Sequence, residues 1–285
     1  MKVRRAEFAG SWYPGTRVEC IRSIQGLEQE CAPCPQADGR PVAGLVPHAG
    51  WYYSGRLACN VIQCLAKSNS PDVCIIFGRH LPPTERAYIM TLGAWATPLG
   101  DLEIDEKVAQ RIATEYDFVV EDAVSHEPDN TIELQLPFIK YFFPNTKIVP
   151  IGLPPKQFTL EVARRTVEIC HELGRNTVVV GSTDLTHYGY SYGFVPKGSG
   201  PGAVTWVKEE NDRMLIQQIL KLDSGAVIKE ALDHHNACCP GAVAATIEAA
   251  KALRATEARE VGYYTSYDVR PDTNFVGYVG ILFYA

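Results

Sequence analysis

The sequence predicts one α/β domain, residues 1–285, with a mostly parallel central sheet and helices on both of its faces. Short apolar runs alternate with longer segments of helical periodicity, which is the pattern of a sheet whose strands are joined by crossover helices. The chain is 46% hydrophobic and long enough to bury one large core. No internal repeat divides it, and the segment PKGSGPG (196–202) is typical of a loop rather than of a domain linker.

The first βαβ unit lies in the N-terminal third of the chain. VAGLVP (42–47) predicts a buried strand, SGRLACNVIQCLAKS (54–68) a helix, and DVCIIFG (72–78) the next strand. Together they have the length of an ordinary βαβ unit. A parallel pair of strands is therefore expected here.

More helix and strand pairs follow. NTIELQLPFIKYFF (130–143) has helical spacing and leads to the strand KIVPIG (147–152). TLEVARRTVEICHELG (159–174) predicts a helix that ends at Gly174, before the buried strand NTVVVGS (176–182). These units extend the predicted sheet.

The C-terminal part begins with two long helical patterns, at about 204–254. It ends with REVGYYTSYDV (259–269) and NFVGYVGILFY (274–284), which predict two strands around a turn at RPDTN (270–274). This pair should add an antiparallel portion to the sheet.

Charge and hydropathy exclude several classes of protein. The net charge of -6 and the pI of about 5.7 are unlike those of a protein that binds nucleic acid or an anionic membrane, and no basic stripe is visible. No apolar stretch approaches the roughly 18 residues of a membrane span. The N-terminal segment lacks the apolar core of a signal peptide, so a cytoplasmic location is expected.

The chain has nine cysteines, an odd number, and several lie in apolar periodic segments. Cys59, Cys64, Cys74 and Cys170 are therefore interpreted as buried thiols. CAPC (31–34) has the spacing of a redox motif or of half a zinc site, but no second CxxC completes a structural zinc. A surface loop is the favoured interpretation of CAPC, with a redox or metal role as the alternative.

Polar side chains follow three predicted strands. His48 follows VAGLVP, His80 follows DVCIIFG, and Asp184 with His187 follows NTVVVGS. Each histidine alone is more often a structural residue, but ligands bind at the carboxyl ends of strands in open α/β sheets. Three such ends with histidines predict a polar pocket.

Cys238 and Cys239 open an apolar helical segment, where the helix dipole and free N–H groups favour a thiolate. Two histidines and a thiolate form a ligand set for iron, copper or zinc with an open position. Successive residues at a helix entry point in different directions, so only one of the two thiols is expected to dominate the pocket.

The wording and order of five segments resemble those of the Memo-like proteins over nearly the whole chain. The segments are AGSWYPG (9–15), PHAGWYYSG (47–55), HEPDNTIELQLPF (126–138), STDLTHYG (182–189) and NACCPGAVAATIEAA (236–250). Memo-like proteins are related in fold to the class III extradiol dioxygenases, which use non-haem iron. The resemblance therefore implies a class III extradiol dioxygenase-like α/β fold with one metal-compatible pocket.

The resemblance also implies residue roles. His48, His80 and Cys238 would be the metal ligands, with Asp184 and His187 beside them as catalytic residues. Fe(II) is the metal it implies first, with copper or zinc as alternatives. The register of AVAATIEAA selects Cys238, although Cys239 stays an alternative because relatives commonly have Cys-Gly at this place.

Two departures affect this assignment. Relatives usually carry a histidine where this chain has Asn130, which can hydrogen-bond but cannot act as a general base. His126 lies four residues earlier and is not an established substitute. Around the second ligand, GRHLPP offers arginine and leucine where the family usually shows serine and histidine.

Other residues of these motifs have a structural and a functional interpretation. For Glu133, a pocket role and a solvent-facing position are equally expected. The aromatic residues Tyr13, Trp51 and Tyr52 are interpreted as packing residues, and His234 with His235 as a pair at a helix end or on the surface.

Three functions follow from these observations. The first is a metal-dependent, dioxygenase-like oxidoreductase that acts on a small organic substrate or on O₂, although a thiolate ligand argues against transferring the activity of carboxylate-ligated enzymes. The second is a module that binds a small molecule or peptide without turnover. The third is a hydrolase that pairs Cys238 with His187 or His48. The resemblance further implies an association with radical-SAM proteins.

Overall fold

A computed structural model describes residues 1–285 of the chain. Its strands are β1 (Val3–Arg4), β2 (Pro41–Val46), β3 (Val73–Gly78), β4 (Ala87–Met90), β5 (Ala94–Trp95), β6 (Leu102–Glu103), β7 (Phe118–Glu121), β8 (Lys147–Gly152), β9 (Thr177–Ser182), β10 (His187–Tyr188), β11 (Glu257–Thr265) and β12 (Phe275–Tyr284).

The helices fill the intervals between the strands. They are α1 (Arg17–Gln29), α2 (Trp51–Ala66), α3 (Glu106–Glu115), α4 (Asn130–Glu133), α5 (Leu136–Phe142), α6 (Gln157–Glu172), α7 (Pro201–Trp206), α8 (Asp212–Leu220), α9 (Ser224–His234), α10 (Pro240–Ala252) and α11 (Ser266–Val269). A short 3₁₀ turn covers Tyr190–Tyr192, and a π-helical turn, Val207–Asn211, joins α7 to α8.

Nine strands form the main sheet, and its centre is parallel. The order runs β7, β4, β8, β3, β9, β2 and β12, with β11 on the far side of β12 and β10 beside the start of β12. The four central strands β8, β3, β9 and β2 are mutually parallel. Strands β4 and β12 run antiparallel to their inner neighbours. A separate small sheet contains β1, β5 and β6.

Helices cover the sheet in two layers. Helices α1, α2 and α5 pack together, with α2 against β2 and β12, whereas α6, α9 and α10 pack together, with α10 against β9, β2 and β3. The strands at the centre are buried on both faces, as their continuous apolar sequences require. At Gly181 of β9, a Cβ would lie 1.8 Å from the Thr246 hydroxyl of α10, so glycine permits this close approach.

The predicted fold class is confirmed, with two differences in detail. Within the main sheet, parallel pairing is confined to the centre and to the β4–β7 pair, because β4 and β12 reverse direction on either side. The segment 204–254 holds three helical stretches rather than two, because the chain turns near Asp223 and at His235; the first stretch is α7 and α8, joined by the π-helical turn. The predicted antiparallel pair is present as β11 and β12. No helix has both the length and the hydropathy needed to cross a membrane.

The interpretation of the cysteines as buried thiols holds for Cys59, Cys74 and Cys170 but is wrong for Cys64. Cys64 is joined to Cys34 of the CAPC loop by a disulfide. Periodicity along α2 places Cys64 on a buried face, but it does not reveal that a loop 30 residues earlier meets that face.

Candidate metal centre

The three strands that were expected to deliver polar residues are neighbours in the sheet. Strands β2, β9 and β3 lie side by side, all parallel, so their carboxyl ends meet at one edge. His48 comes two residues after β2, His80 two residues after β3, and Asp184 two residues after β9. The sheet order therefore brings these residues together, as the strand-end argument predicts.

Four side chains converge at this edge. His48, His80, Cys238 and Cys239 each place one nitrogen or sulfur atom within 4.8 Å of the others. The Cys238 sulfur lies 3.2 Å from His48 Nε2, and the Cys239 sulfur lies 3.4 Å from His80 Nδ1. The two sulfurs are 3.7 Å apart.

These distances fit the ligand shell of a tetrahedral metal ion. Two sulfurs that each lie about 2.3 Å from one ion are about 3.8 Å apart, and a nitrogen and a sulfur about 3.5 Å apart. The observed separations are close to both values. Imidazole and thiolate are also the donors that zinc, copper and iron accept in proteins. The residues therefore fit a metal ion.

Cys239 is the member of this cluster that the sequence prediction left out. The expectation that one thiol dominates assumed helical geometry at both residues, but Cys239 is the N-cap of α10 with φ -128° and ψ 61°. Outside the helix, successive side chains need not be 100° apart, and both sulfurs reach the site. The sequence signal for a second thiol at the site is the pair of adjacent cysteines before Pro240, because proline is typical of the first helical turn and places Cys239 outside the helix.

Hydrogen bonds to the backbone and to the ring hold His48 in place. Its N–H donates to Asp184 Oδ1 at 2.7 Å, and its carbonyl accepts from the Asn130 amide at 3.3 Å. Its Nδ1 lies 2.9 Å from the Ser182 hydroxyl. This contact orients the ring so that Nε2 faces the Cys238 sulfur, and Nε2 is the nitrogen available to a metal.

The chain turns sharply just before His80. Arg79 has φ 78°, in the left-handed region that non-glycine residues seldom adopt. Its N–H donates to the Thr131 hydroxyl at 2.6 Å, and its guanidinium pairs with Glu121 at 2.7 Å and stacks on Tyr88. These contacts offset the backbone strain and direct His80 toward the two cysteines. Arg79, which departs from the family pattern, thus has a structural role.

Cys238 is anchored by the backbone of Asp184. Its N–H donates to the Asp184 carbonyl at 3.1 Å, while its sulfur accepts the Asp184 N–H at 3.2 Å. Burial opposes ionisation of this thiol, but the Cys239 thiol and the two histidines favour it and hold the pKa of Cys238 well below its ordinary value. Cys239, buried beside this thiolate, has a pKa well above its ordinary value. These opposite shifts favour ionisation of Cys238 before that of Cys239.

The histidines and the carboxylate respond to the same charges. Burial by itself lowers the pKa of His80, but the interaction with Cys238 raises it to about 9. The pKa of His48 is also raised, because the charges of Cys238 and Asp184 outweigh its burial. Burial raises the pKa of Asp184, although His48 opposes the shift. The cluster thus favours a thiolate at Cys238 beside the imidazolium form of His80.

A cavity of about 770 Å³ opens from the cluster to the surface. His48, His80, Asp184 and His187 contribute to its lining, as does Asn130. The lining also includes the exposed side chains of Trp12, Tyr192 and Arg270 and the half-buried Tyr53, which the sequence interpretation did not assign to the site. The position of Tyr192 and Arg270 follows from tertiary contacts and had no local signal.

His187 lines the cavity, but a carboxylate is not the partner that sets its tautomer. Its Nδ1 lies 3.1 Å from the Leu185 carbonyl, and since a carbonyl only accepts, Nδ1 carries the proton. The Nε2 atom then carries a lone pair. Asp184, which was expected to serve this purpose, instead binds the backbone of His48.

The remaining predicted residues separate into packing and pocket groups. Glu133 is fully buried away from the cavity, where it accepts from the N–H groups of Glu7 and Phe8 and from the Tyr13 hydroxyl. Trp51 is a packing residue as expected and stacks on Tyr13 and on Phe138.

Tyr52 is 72% exposed and lines the cavity, so its interpretation as a packing residue is wrong. His234 and His235 form the expected exposed pair at the end of α9. His126 binds the Asp122 carbonyl outside the cavity lining, and so it does not replace the histidine that relatives carry at Asn130.

Comparisons with known proteins agree over nearly the whole chain. Residues 4–282 match the family profile described as Memo-like protein. MEMO1 family proteins of Pyrococcus furiosus and Methanopyrus kandleri are 32% and 34% identical, and each alignment covers 98% of both chains. The crystal structure of an uncharacterized protein from Escherichia coli K12 superposes with a TM-score of 0.56 at 10% identity. It covers 85% of this chain and 99% of its own, a likeness of fold.

Proposed function

The chain belongs to the Memo-like protein family, and on this premise we propose that it is a metal-dependent, dioxygenase-like oxidoreductase of a small substrate. His48, His80 and Cys238 would hold the metal, with Fe(II) as the first candidate and copper or zinc as the alternatives. The observation that carries the proposal is the convergence of these three side chains with Cys239, beside a cavity that His48 and His80 line.

A bound redox-active ion would supply electron transfer and a Lewis-acidic coordination position for substrate or O₂. The contributions of the protein can be assigned from its contacts. The Ser182 hydroxyl, as a partner of His48 Nδ1, keeps Nε2 directed at the ligand cluster. Asp184 fixes the backbone that carries His48 and, through its own main chain, the position of Cys238.

His187 is the group suited to proton transfer. Its Nε2 has a free lone pair because Nδ1 donates to Leu185, and the side chain lines the cavity. A neutral imidazole in this state can accept a proton from a substrate hydroxyl. Asn130, at the place of the family histidine, can only donate or accept hydrogen bonds.

The second candidate is a binding module that uses the same cavity without turnover. The exposed rim favours it, because Trp12, Tyr52 and Tyr192 offer aromatic surface and Arg270 offers a cation. Such a rim suits a small ligand or an extended peptide. A Cys–His hydrolase would instead use Cys238 with His48, whose reacting atoms lie 3.2 Å apart.

Metal analysis of untagged protein purified without oxygen tests the first proposal. We expect about one iron per chain, and nitric oxide should bind to that iron, as detected by electron paramagnetic resonance, if a ligand position is open. The His48→Ala variant, verified as folded, should lose the iron.

The outcomes separate the three functions. Protein that takes up no iron or copper but retains a peptide or small ligand would overturn the oxidoreductase proposal in favour of the binding module. Metal-free protein whose Cys238 reacts rapidly with an acylating ester would favour the hydrolase.

A further inference from the structure

The CAPC motif lies outside the metal centre, and the fold sets it against helix α2. The motif, Cys31 to Cys34, belongs to the loop between α1 and β2. Helix α2 presents two cysteines to this loop. Cys34 forms its disulfide with Cys64, and the Cys31 thiol lies beside the Cys59 thiol. Four of the nine cysteines thus form two pairs between one loop and one helix.

A hydrogen-bonded clamp sets this register independently of the disulfide. The buried Asn60 side chain accepts from the Ala32 N–H at 2.9 Å and donates to the Ala32 carbonyl at 3.0 Å. Ala32 lies between Cys31 and Cys34, and Asn60 follows Cys59 directly. Because the clamp holds the loop backbone against α2, Cys31 stays opposite Cys59 whether or not Cys34 is oxidised.

The two thiols of the second pair differ in access and in chemistry. Cys59 is fully buried, whereas Cys31 is only half-buried. The pKa of Cys31 is lowered, mainly by the neighbouring Cys59 thiol and further by the charges of Lys67 and Arg56. Burial and the neighbouring Cys31 raise the pKa of Cys59. An accessible thiolate with a buried thiol behind it is the arrangement of redox-sensitive cysteine pairs.

We propose that Cys31 and Cys59 are a redox-modification site, which closes to a second disulfide between the CAPC loop and α2 when the protein meets an oxidised low-molecular-weight disulfide. The Cys31 thiolate attacks one sulfur of the small disulfide, and the other sulfur leaves as a thiolate. That thiolate takes the proton of Cys59, whose sulfur then attacks Cys31 and releases the second small group as a thiolate. The small disulfide gains two electrons, and the protein pair loses two.

A disulfide between Cys31 and Cys59 would cross-link helix α2, which borders the candidate metal centre, to the CAPC loop. Helix α2 begins at Trp51, three residues after His48, and its first turn carries the cavity residues Tyr52 and Tyr53. Two bridges at Cys59 and Cys64 would tie the rest of this helix to the N-terminal loop. The redox state of the loop is thereby linked to the helix that lines the cavity.

Peptide mapping of the full-length protein tests the proposal. The protein is treated with oxidised glutathione, alkylated under denaturing conditions without reductant, and cleaved with trypsin. Cys31 and Cys34 lie in the peptide 23–56, and Cys59 and Cys64 in the peptide 57–67. Two bridges give a linked pair of these peptides with no alkyl label, whereas the Cys34–Cys64 bridge alone gives a linked pair with two labels.

Variants isolate the second bridge. In the Cys34→Ser/Cys64→Ser protein, oxidation should still link the two peptides, and adding Cys31→Ser should abolish the link. In the otherwise unaltered chain, Cys31→Ser should leave one label on the linked pair, at Cys59. Cys20→Ser, which removes another buried thiol, is the matched control and should behave as the unaltered protein.

Several results would overturn the proposal. Two labels on the linked pair after oxidation would do so in the unaltered protein, which needs no variant to fold. Glutathione retained on Cys31 with Cys59 still alkylated would show that the second step does not occur. Stoichiometric zinc in reduced protein, lost in Cys31→Ser but not in Cys20→Ser, would identify a metal site in place of a redox pair.

Discussion

At the scale of single residues, the two adjacent cysteines decide how many sulfur ligands the site offers. Cys238 is close to His48 and Cys239 is close to His80, so each thiol has its own imidazole partner. Cys238 has the lowered pKa and is the thiolate of the pair. A metal ion would meet a ready thiolate at Cys238 and would have to displace a proton from Cys239.

This difference predicts unequal effects of two matched substitutions. Cys238→Ser should weaken metal binding about 100-fold or more, because a neutral hydroxyl replaces a thiolate ligand. Cys239→Ser should weaken it less, about tenfold, because a metal ion would first have to displace the proton of this thiol. Titration with cobalt(II), followed by its thiolate charge-transfer absorbance, measures both affinity and sulfur ligation. Equal affinities of the Cys238→Ser and unaltered proteins would reject Cys238 as a ligand.

At the scale of secondary structure elements, a buried carboxylate joins α8 to the segment that carries His187. Asp212, the first residue of α8, accepts from the Thr186 N–H and hydroxyl and, at 2.8 Å, from the Tyr263 hydroxyl of β11. Glycine at 277 makes room for it, because a Cβ there would lie 2.0 Å from Asp212 Oδ2. Burial raises the pKa of Asp212 to about 6.

The raised pKa predicts a stability change between about pH 4 and pH 6. In this window the folded protein keeps the Asp212 proton that the unfolded chain has released, so the free energy of unfolding falls as the pH rises. A shift of about two pKa units corresponds to roughly 3 kcal/mol at most, lost by the time pH 6 is passed. The stabilisation is complete only below the unfolded-state pKa.

Asp212→Asn removes this titration and keeps the size of the side chain. As the pH rises from 4 to 6, the variant should therefore become more stable relative to the unaltered protein. Urea denaturation of both proteins at pH 4 to 7 measures this difference in free energy of unfolding. The exposed Asp101→Asn is the control and should show no such trend. A difference that stays constant with pH would contradict the assignment to Asp212.

At the scale of the whole molecule, the candidate metal centre joins segments that are distant in sequence. His48 and Cys238 are 190 residues apart, and the cluster spans the ends of β2 and β3 and the start of α10. An ion bound only by the folded arrangement stabilises the fold as a whole.

Zinc(II) should therefore raise the melting temperature. At a free concentration of about 100 times its dissociation constant, the gain is about 2.7 kcal/mol. That gain corresponds to a rise of roughly 5 °C for a chain of this size. Calorimetry with and without zinc, followed by a chelator, measures the rise and its reversal. The same zinc should leave the melting temperature of Cys238→Ser unchanged, and an equal rise in both proteins would place the binding elsewhere.

The local sequence pattern was sufficient to predict the fold class, the central strands and several candidate site residues. Continuous apolar runs identified β2, β3 and β9, and the rule that ligands bind at strand ends pointed to His48, His80 and His187. The α/β class followed from the same alternation. These features depend on neighbours along the chain, and so the sequence by itself determined them.

Other features depended on how distant segments meet. The reversal of β4 and β12, the disulfide between Cys34 and Cys64, and the placing of Arg270 at the cavity rim have no local signature, because each is set by packing between elements far apart in sequence. The same holds for Cys239, whose direction depends on a non-helical backbone at the N-cap of α10. Residue types and strand-end positions identified the candidate ligands in the sequence. Only the tertiary structure decided which of their atoms face one another.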